Sequence, residues 1–387
     1  MGKRIIILLF CCAVFFLSCQ KQQKAALPLV QGDVLREIQV FMADTVQRTS
    51  ITFILGEDHT PYNQYYTLAN HYYRLNPDDK TEIVIDSLIS IKEVCDYLKA
   101  HPGKNNRPYG LINLVSHGNE FLDLRALAYP KGPRASAKTL LKAVQDSILL
   151  PLDTAILDGK SLIYLHGCAV GNNQELLNNL ALAFGSRENG VKVKASKLFE
   201  YYSYLSKNKN PQSIRHYFAR TWYAFYHPDS IPGDAGFVER FAASYPNDSV
   251  NWLEGVQRRF QSNPSEIYHY SFVVPVVWED FYEEESEVPS VNSRKKRKEW
   301  LENNQPLLDL ISLTNVPIDY FQFLYYKPKY MRNSKEIYSL RVRAKAGVMC
   351  LIQPVLATED SLRAQLVAYQ PAGDDPEYFQ FSEIDGF

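Results

Sequence analysis

The sequence predicts an α/β fold built on a mostly parallel sheet, and two observations support this. Short apolar runs alternate with stretches of helical length from about residue 48 to residue 205. Strands and helices that alternate in this way form crossover units, which cover a parallel sheet on both faces. Two of the apolar runs also end on reactive side chains, one on His117 and the other on Cys168.

Five runs have the composition of buried strands, and four stretches between them have the apolar spacing of helices. The strands are predicted at 50–56, 81–89, 109–118, 160–167 and 191–199, and the helices at 62–76, 90–100, 136–147 and 173–185. Ser90 is placed to cap the second helix, and Gly185 follows the fourth at a position typical of a C-cap. Because ligands bind beyond the carboxyl ends of parallel strands, we expect the functional site at that edge.

The chain beyond residue 205 has a weaker pattern. Helices are predicted in FVERFAASYP and VNWLEGVQRRFQ, followed by a strand over 267–278 that Pro275 interrupts. An acidic run and the basic run 294–298 then predict a solvated loop, with a processing site or an anionic-lipid contact as alternatives. The remaining sequence has strand character. We therefore predict an α/β domain over 48–240 and a smaller α+β or β-rich accessory region over 241–387.

The N-terminus has the layout of an export signal. Lys3 and Arg4 precede an apolar stretch over 5–17, which is shorter than the roughly 20 residues of a membrane span, and Cys19 follows. Residues 1–19 resemble a bacterial lipoprotein signal peptide, which implies lipidation of Cys19, export, and anchoring at a membrane surface of the cell envelope. Phe16, three residues before Cys19, stands where such signals usually have an aliphatic residue. Cleavage by an ordinary signal peptidase and an uncleaved membrane anchor therefore remain alternatives. Residues 20–47 are predicted as a tether and an N-terminal helix.

Composition excludes some classes of function. A net charge of −1 with 22% charged residues gives no basic surface for nucleic acid. Once the signal region is set aside, the body holds Cys95, Cys168 and Cys350, which are too few for a disulfide framework. Cys95 and Cys350 lie in a helical and a strand-like apolar pattern, so both are interpreted as core residues. Tyrosine is abundant, which is compatible with core packing or with a glycan-binding surface.

The two reactive strand ends suggest nucleophilic catalysis. A thiol attacks as its thiolate, and a neighbouring imidazole favours that form or takes its proton. Gly118, which follows His117, could bring its backbone N–H close to a substrate carbonyl as one oxyanion donor, with the N–H of Cys168 as the second. The alternative for Cys168 is burial as a small hydrophobic residue, which is common for cysteine.

The blocks LVSHG and IYLHGCAVG together resemble the caspase-like superfamily of cysteine peptidases, which includes caspases, legumains, separases, gingipains and clostripains. The Gly-Cys-x-x-Gly form looks most like separases and their bacterial relatives. His117 precedes Cys168 by 51 residues, close to the spacing of roughly 50 in caspases. The resemblance covers about residues 48–205. It implies a three-layer αβα sandwich, with His117 as general base or acid, Cys168 as nucleophile and Gly118 as oxyanion donor, without a third acid.

One position departs from the family pattern. The residue two before the cysteine is acidic in legumain- and clostripain-like members and lines the pocket for the side chain before the cleaved bond, whereas here it is His166. An imidazole lacks the fixed negative charge that a basic substrate side chain needs, so no strong preference for Arg or Lys is expected. His166 is a candidate for the substrate pocket, and a histidine satisfied at a strand end is the alternative. No metal site or cofactor is expected.

Three hypotheses for function follow. The first is an exported, membrane-anchored cysteine peptidase that hydrolyses peptides or proteins with a His117/Cys168 dyad. The second is a catalytically inert caspase-like protein whose cleft binds a peptide or protein partner. The third is a surface lipoprotein that binds glycans or other ligands through exposed aromatic residues. The oligomeric state is left open by the sequence.

Overall fold

The structure is a computed structural model that describes residues 48–59, 64–75, 83–185, 190–204, 214–259, 266–332, 335–355 and 375–383. Residues Arg48–Phe387 form one compact unit. The predicted signal peptide, Cys19, the tether and the N-terminal helix lie outside the described residues. Among the described helices, none is long and apolar enough to cross a membrane.

Within the described residues, the first sheet has six strands, five of them parallel. In chain order its parallel strands are β1 (Ser50–Ile54), β2 (Ile83–Ile85), β3 (Leu111–Val115), β6 (Leu162–His166) and β7 (Lys192–Ser196). Their order across the sheet is β2-β1-β3-β6-β7, and β14 (Phe379–Phe381) adds an antiparallel edge next to β7. Between β3 and the next helix, β4 (Gly118–Asn119) and β5 (Asp123–Leu124) form a small antiparallel pair.

Four helices connect these strands. They are α1 (Tyr65–Leu75), α2 (Ile91–Ala100), α3 (Ala137–Gln145) and α4 (Gln174–Phe184). Each lies within a predicted helix, just as β1, β2, β3, β6 and β7 lie within the five predicted strands. Ser90 caps α2 as predicted, because its hydroxyl accepts the backbone N–H of Glu93. The mixed α/β architecture with a mostly parallel sheet is therefore confirmed.

The two faces of the first sheet are covered differently. Helices α2, α3 and α4 pack on one face and form with it a largely apolar core, whose sheet residues include Phe53, Leu114, Leu165 and Val193. The opposite face is covered by α1 together with β8 (Phe199–Tyr204) and β9 (Ile214–Tyr226). This second face carries buried polar side chains, since Thr52, Asn113 and His166 all point to it.

The second sheet is antiparallel and continues beyond these two strands. Its path is β10 (Tyr268–Tyr282), β13 (Lys335–Pro354), β9 and β8, and β11 (Phe321–Tyr326) and β12 (Lys329–Arg332) also pair with β13. Helices α5 (Asp234–Ser244) and α6 (Trp252–Gln257) follow β9. Residue 240, the predicted domain boundary, therefore lies in the chain segment that connects two strands of the same sheet, β9 and β10. Strand β14, which comes last in chain order among the described strands, belongs to the first sheet again.

Two local predictions for the C-terminal part are wrong. The basic run is not a loop but the start of α7 (Arg294–Glu302), which precedes α8 (Gln305–Ser312). The hydroxyl of Ser293 caps α7, and lysine–glutamate pairs four residues apart support it on the solvent side. Pro275 does not break its strand, because β10 ends the sheet's strand path and an edge strand tolerates a residue without an N–H.

Candidate active site

The strand register brings the two predicted catalytic residues to the same level of the sheet. Strands β3 and β6 are adjacent and parallel, and their last pairing joins Val115 to His166. His117 and Cys168 each lie two residues beyond that pair. Both side chains therefore leave neighbouring strands at the carboxyl edge, where sheets of this class bind their ligands.

Two tyrosines from the first turn of α1 pack against His117. The ring of Tyr65 stacks on the imidazole with centroids 4.5 Å apart, and the ring of Tyr66 meets it edge-on at 4.7 Å. The backbone N–H of His117 donates to the Tyr66 hydroxyl at 2.9 Å. Asp58 holds the start of α1 by accepting the backbone N–H groups of Tyr66 and Thr67. Helix α1 thus forms one wall around the imidazole.

This packing changes the basicity of His117. Burial lowers the pKa of the imidazole to about 4, with the positive charge of Arg125 adding to the effect and the charge of Asp58 opposing it. The ring is therefore neutral at pH 7 and is a weaker base than a solvent-exposed histidine.

Cys168 is held against the second sheet. Its Sγ donates to the carbonyl oxygen of Glu200 in β8 at 3.6 Å, and the side chain packs against a cluster that includes Phe199, Tyr268 and Cys350. Burial raises the pKa of the thiol to about 12, with the hydrogen bond to the Glu200 carbonyl opposing this effect and the charge of the Glu200 side chain adding to it. Cys168 consequently carries its proton at neutral pH, and its proton is directed at a backbone carbonyl.

The turn after the cysteine has an uncommon conformation. Ala169 adopts φ 55° and ψ 18°, in the left-handed region that disfavours residues with a Cβ, and its N–H donates to the carbonyl of Leu198. At Gly171 an added Cβ would lie 2.7 Å from the backbone of Ala195 and Ser196, so only glycine fits against β7. Backbone strain of this kind persists where surrounding packing imposes it, and it concentrates at functional sites.

Gly118 has a packing role besides the predicted one. A Cβ at this position would lie 2.6 Å from the carbonyl oxygen of Asp123, across the β4–β5 pair. The glycine is therefore required by the hairpin that follows His117. Its role as an oxyanion donor stays a prediction.

His166 lies in a buried polar network. Its side chain is 3% exposed; Nδ1 lies 2.8 Å from Oε2 of Glu200, and Nε2 lies 2.9 Å from the Tyr73 hydroxyl and 3.1 Å from Oδ1 of Asn113. His216 in β9 donates from Nε2 to the same Glu200 oxygen at 2.9 Å. This arrangement corresponds to the alternative of a satisfied strand-end histidine, and in this conformation the ring does not face an open pocket.

The same three side chains form the cluster of potential metal ligands found among the described residues, His166, Glu200 and His216, with ligand atoms within 4.8 Å of one another. Two donors on one tetrahedral zinc ion lie roughly 3.3 Å apart, given bond lengths of about 2.0–2.1 Å. The observed separations of 2.8 and 2.9 Å are those of hydrogen bonds. We therefore describe the cluster as a hydrogen-bonded network.

Two carboxyl groups on the hairpin after His117 also have altered acidity. Burial raises the pKa of Asp123 to about 6, while the side-chain amide of Asn173 donates to it at 2.9 Å. Burial likewise raises the pKa of Glu120, whose partners are Tyr223 and Asn172. These groups face the turn that follows Cys168.

Sequence reasoning did not identify Glu200, His216 or the α1 tyrosines as neighbours of the site. A signal for Glu200 was available, because a single acidic residue in the aromatic strand FEYYSY is unusual and buried acids need partners. His216 offered no comparable signal. Tyr65 and Tyr66 matched an amphipathic helix, and only the fold shows that their helix covers His117.

Comparisons of the chain with protein-family models, with curated proteins and with solved structures found no match.

Proposed function

We propose that the protein is a cysteine peptidase of the caspase-like type, in which His117 and Cys168 form the catalytic dyad. The observation that carries this proposal is the register of β3 and β6, which aligns Val115 with His166 and brings the two residues to one edge. Both side chains follow buried strands whose positions are set by packing on both faces of the sheet. Catalytic groups on such rigid elements keep their relative geometry.

The altered acidities define the chemistry of this dyad. Both groups are neutral at pH 7, because the pKa of His117 is about 4 and that of Cys168 about 12. In the proposed reaction His117 takes the thiol proton while Sγ forms a bond to the substrate carbonyl carbon. The imidazolium then gives that proton to the leaving amine as the peptide C–N bond breaks. Water, deprotonated by His117, hydrolyses the resulting thioester and restores the thiol.

The proposed oxyanion donors are the backbone N–H groups of Gly118 and Cys168. The position two residues before the cysteine presents no exposed carboxylate, since His166 is buried and hydrogen-bonded. A substrate with Arg or Lys before the cleaved bond therefore finds no fixed negative charge there, and we expect no strong preference for such substrates.

We further propose that the first sheet and its helices represent a caspase-like three-layer domain, and that the second sheet acts as an accessory region. With lipidation at Cys19, the enzyme is exported and held at a membrane surface of the bacterial cell envelope. Its partners are then a peptide or protein substrate and the membrane, through the lipid.

A catalytically inert peptide- or protein-binding lipoprotein is the second candidate. It is favoured by the contacts of the dyad: the Cys168 thiol donates to the Glu200 carbonyl, and Tyr65 and Tyr66 pack on the His117 ring. A cleft with these contacts binds a partner without requiring the thiol to react.

The test is hydrolysis of a diverse peptide library by the full chain, compared with Cys168→Ala and His117→Ala. Cys95→Ala and His101→Ala are matched controls, because Cys95 lies on the buried face of α2 and His101 follows that helix. The dyad predicts that the first two variants lose hydrolysis and the controls keep it. If the folded parent cleaves no peptide but binds a subset of the library, the peptidase proposal fails and the binding function takes its place.

A further inference from the structure

Glu200 is a buried carboxylate with two histidine partners. Its side chain is 0% exposed, and Oε2 accepts hydrogen bonds from Nδ1 of His166 and Nε2 of His216. Burial by itself would raise the pKa of this carboxyl, but the two imidazoles outweigh burial and lower it. Glu200 is therefore ionised at neutral pH inside the protein, where its two hydrogen bonds from histidines stabilise the charge.

The surroundings of His166 hold its ring in place. Nε2 lies 2.9 Å from the Tyr73 hydroxyl and 3.1 Å from Oδ1 of Asn113, whose amide nitrogen donates to the Thr52 hydroxyl at 3.0 Å. Oε2 of Glu200 faces the other ring nitrogen. Because an ionised carboxylate only accepts hydrogen bonds, Nδ1 of His166 carries the proton of this bond, and contacts on both ring nitrogens fix the ring against Glu200.

This hydrogen-bonded pair of Glu200 and His166 lies behind both proposed catalytic residues. Glu200 contacts Cys168 through its own backbone, since its carbonyl oxygen accepts from the thiol. The carbonyl oxygen of His166 accepts from the N–H of Ser116, the residue before His117, at 3.0 Å, and from the hydroxyl of Tyr65 at 3.4 Å. A displacement of β8 from the end of β6 would therefore move the thiol and disturb the wall around the imidazole.

We propose that Glu200 is a positioning residue for Cys168: its carboxylate fixes the end of β6 through His166, while its carbonyl holds the thiol. The inference rests on the proposed peptidase function. Glu200 acts through its neighbours and makes no contact with a reacting substrate atom. The hydrogen bond between Glu200 and His166 joins the second sheet to the first next to Cys168.

Glu200 is also the charged group that acts on Cys168. Among the described residues, the other titratable groups that interact with the thiol are Tyr65, Tyr201, Tyr217, Tyr268, Tyr270 and Cys350, from α1, β8, β9, β10 and β13. Burial raises the pKa of each of them, so all are neutral near pH 7. Removing the charge of Glu200 therefore makes Cys168 easier to ionise. Losing the contacts of Glu200 displaces the thiol, which makes Cys168 a poorer nucleophile toward substrate.

The experiment compares the full chain with Glu200→Gln, and uses Glu279→Gln as the matched control. Glu279 also lies in the second sheet and is paired with a cation, Arg341, but it has no contact with the network. Alkylation of Cys168 by iodoacetamide is followed across pH by peptide mass spectrometry, so that the other cysteines do not interfere. Peptide hydrolysis gives kcat and KM, and thermal unfolding gives the stability of each variant.

The positioning role predicts opposite changes in the two readouts. In the Glu200→Gln variant, Cys168 is alkylated at least about threefold faster than in the parent at a fixed pH, because its thiolate fraction rises. At the same time kcat falls about tenfold or more with KM nearly unchanged, since a misplaced nucleophile slows the chemical step. Glu279→Gln behaves as the parent in both readouts. A structural role alone would lower the unfolding temperature and leave the alkylation profile where it is in the parent.

The proposal is overturned if Glu200→Gln keeps the parent's alkylation profile, or if kcat and the alkylation rate fall together. Should Glu200→Gln not fold, His166→Gln breaks the same pair from its other side and must then slow hydrolysis. If the folded parent hydrolyses no peptide, the peptidase function fails by itself, and the alkylation profiles still decide whether Glu200 controls Cys168.

Discussion

The ring of Tyr65 stacks on the imidazole of His117, with their centroids 4.5 Å apart and their planes inclined by 28°. The tyrosine hydroxyl reaches past the imidazole to the carbonyl oxygen of His166 at the end of β6. Tyr65 therefore touches the surroundings of both strand ends, and the first turn of α1 sets the environment in which His117 has to act as a base.

Replacing Tyr65 should make His117 more basic. In Tyr65→Ala the imidazole loses its stacked neighbour and gains contact with water, so its pKa should rise by about one unit toward the ordinary value. Histidine NMR titration of the folded chain measures this change. Tyr65→Phe keeps the ring and loses the hydroxyl, so its titration should match the parent; a shift in Tyr65→Phe as large as in Tyr65→Ala would contradict stacking as the cause.

His117 should make the fold less stable in mild acid. Burial lowers its folded-state pKa from 6.5 to about 4. Between these two pH values the unfolded chain binds a proton that the folded chain does not, so the free energy of unfolding decreases as pH falls through this window, by up to about 3 kcal/mol. Urea unfolding at several pH values tests this. His117→Gln should remove that part of the pH dependence, and an unchanged slope would argue against a buried neutral imidazole.

Asp123 should act in the opposite direction over nearly the same range. Burial raises its folded-state pKa from 3.8 to about 6, so the folded state holds a proton that the unfolded state has lost. Its contribution therefore increases stability as pH falls from about 6 toward 4, by up to about 3 kcal/mol, and it offsets the effect of His117.

Asp123→Asn should expose the acid sensitivity that His117 causes. Asparagine keeps a side-chain oxygen that accepts the hydrogen bond from Asn173. It also readily adopts the left-handed backbone conformation found at this position, φ 54°. The variant's free energy of unfolding should therefore fall more steeply than the parent's between pH 6 and pH 4. A curve parallel to that of the parent would show that the carboxyl ionises normally in the folded state.

A side chain on Gly171, three residues after Cys168, should destabilise the fold. In Gly171→Ala the new Cβ would lie 2.7 Å from backbone atoms of β7, which cannot move without disturbing the sheet. Overpacking of this kind costs about 1–3 kcal/mol, measurable by urea unfolding. Gly233→Ala, where nothing lies within 4 Å of the new Cβ, is the control and should lose less than about 1 kcal/mol as a weaker helix cap. Equal losses in the two variants would contradict the close approach.

The local pattern was sufficient to predict the elements of the first sheet. Buried strands are continuous apolar runs and the helices between them are amphipathic, so β1, β2, β3, β6 and β7 and the helices α1 to α4 fall within the predicted stretches. Parallel pairing then requires that the ends of β3 and β6 meet at one edge, which is why His117 and Cys168 could be paired before their positions were known.

The covering of the second face could not be predicted in this way. The expectation of helices on both faces came from the alternation, but β8 and β9 occupy part of that face beside α1. These two strands pair with each other in antiparallel fashion, and the partner of β9 in β13 lies more than a hundred residues away along the chain. No local periodicity encodes a contact between segments so far apart.

By itself, the sequence determined the parallel α/β core and the edge of the sheet at which a histidine and a cysteine emerge, because apolar periodicity and strand direction are local properties of the chain. Only the tertiary structure decided the protonation and the partners of those residues. Burial against α1 makes His117 a weak base, and the thiol of Cys168 and the ring of His166 both meet Glu200 from another sheet. These effects depend on desolvation and on distances of a few ångströms between distant segments, which exist only after the chain has folded.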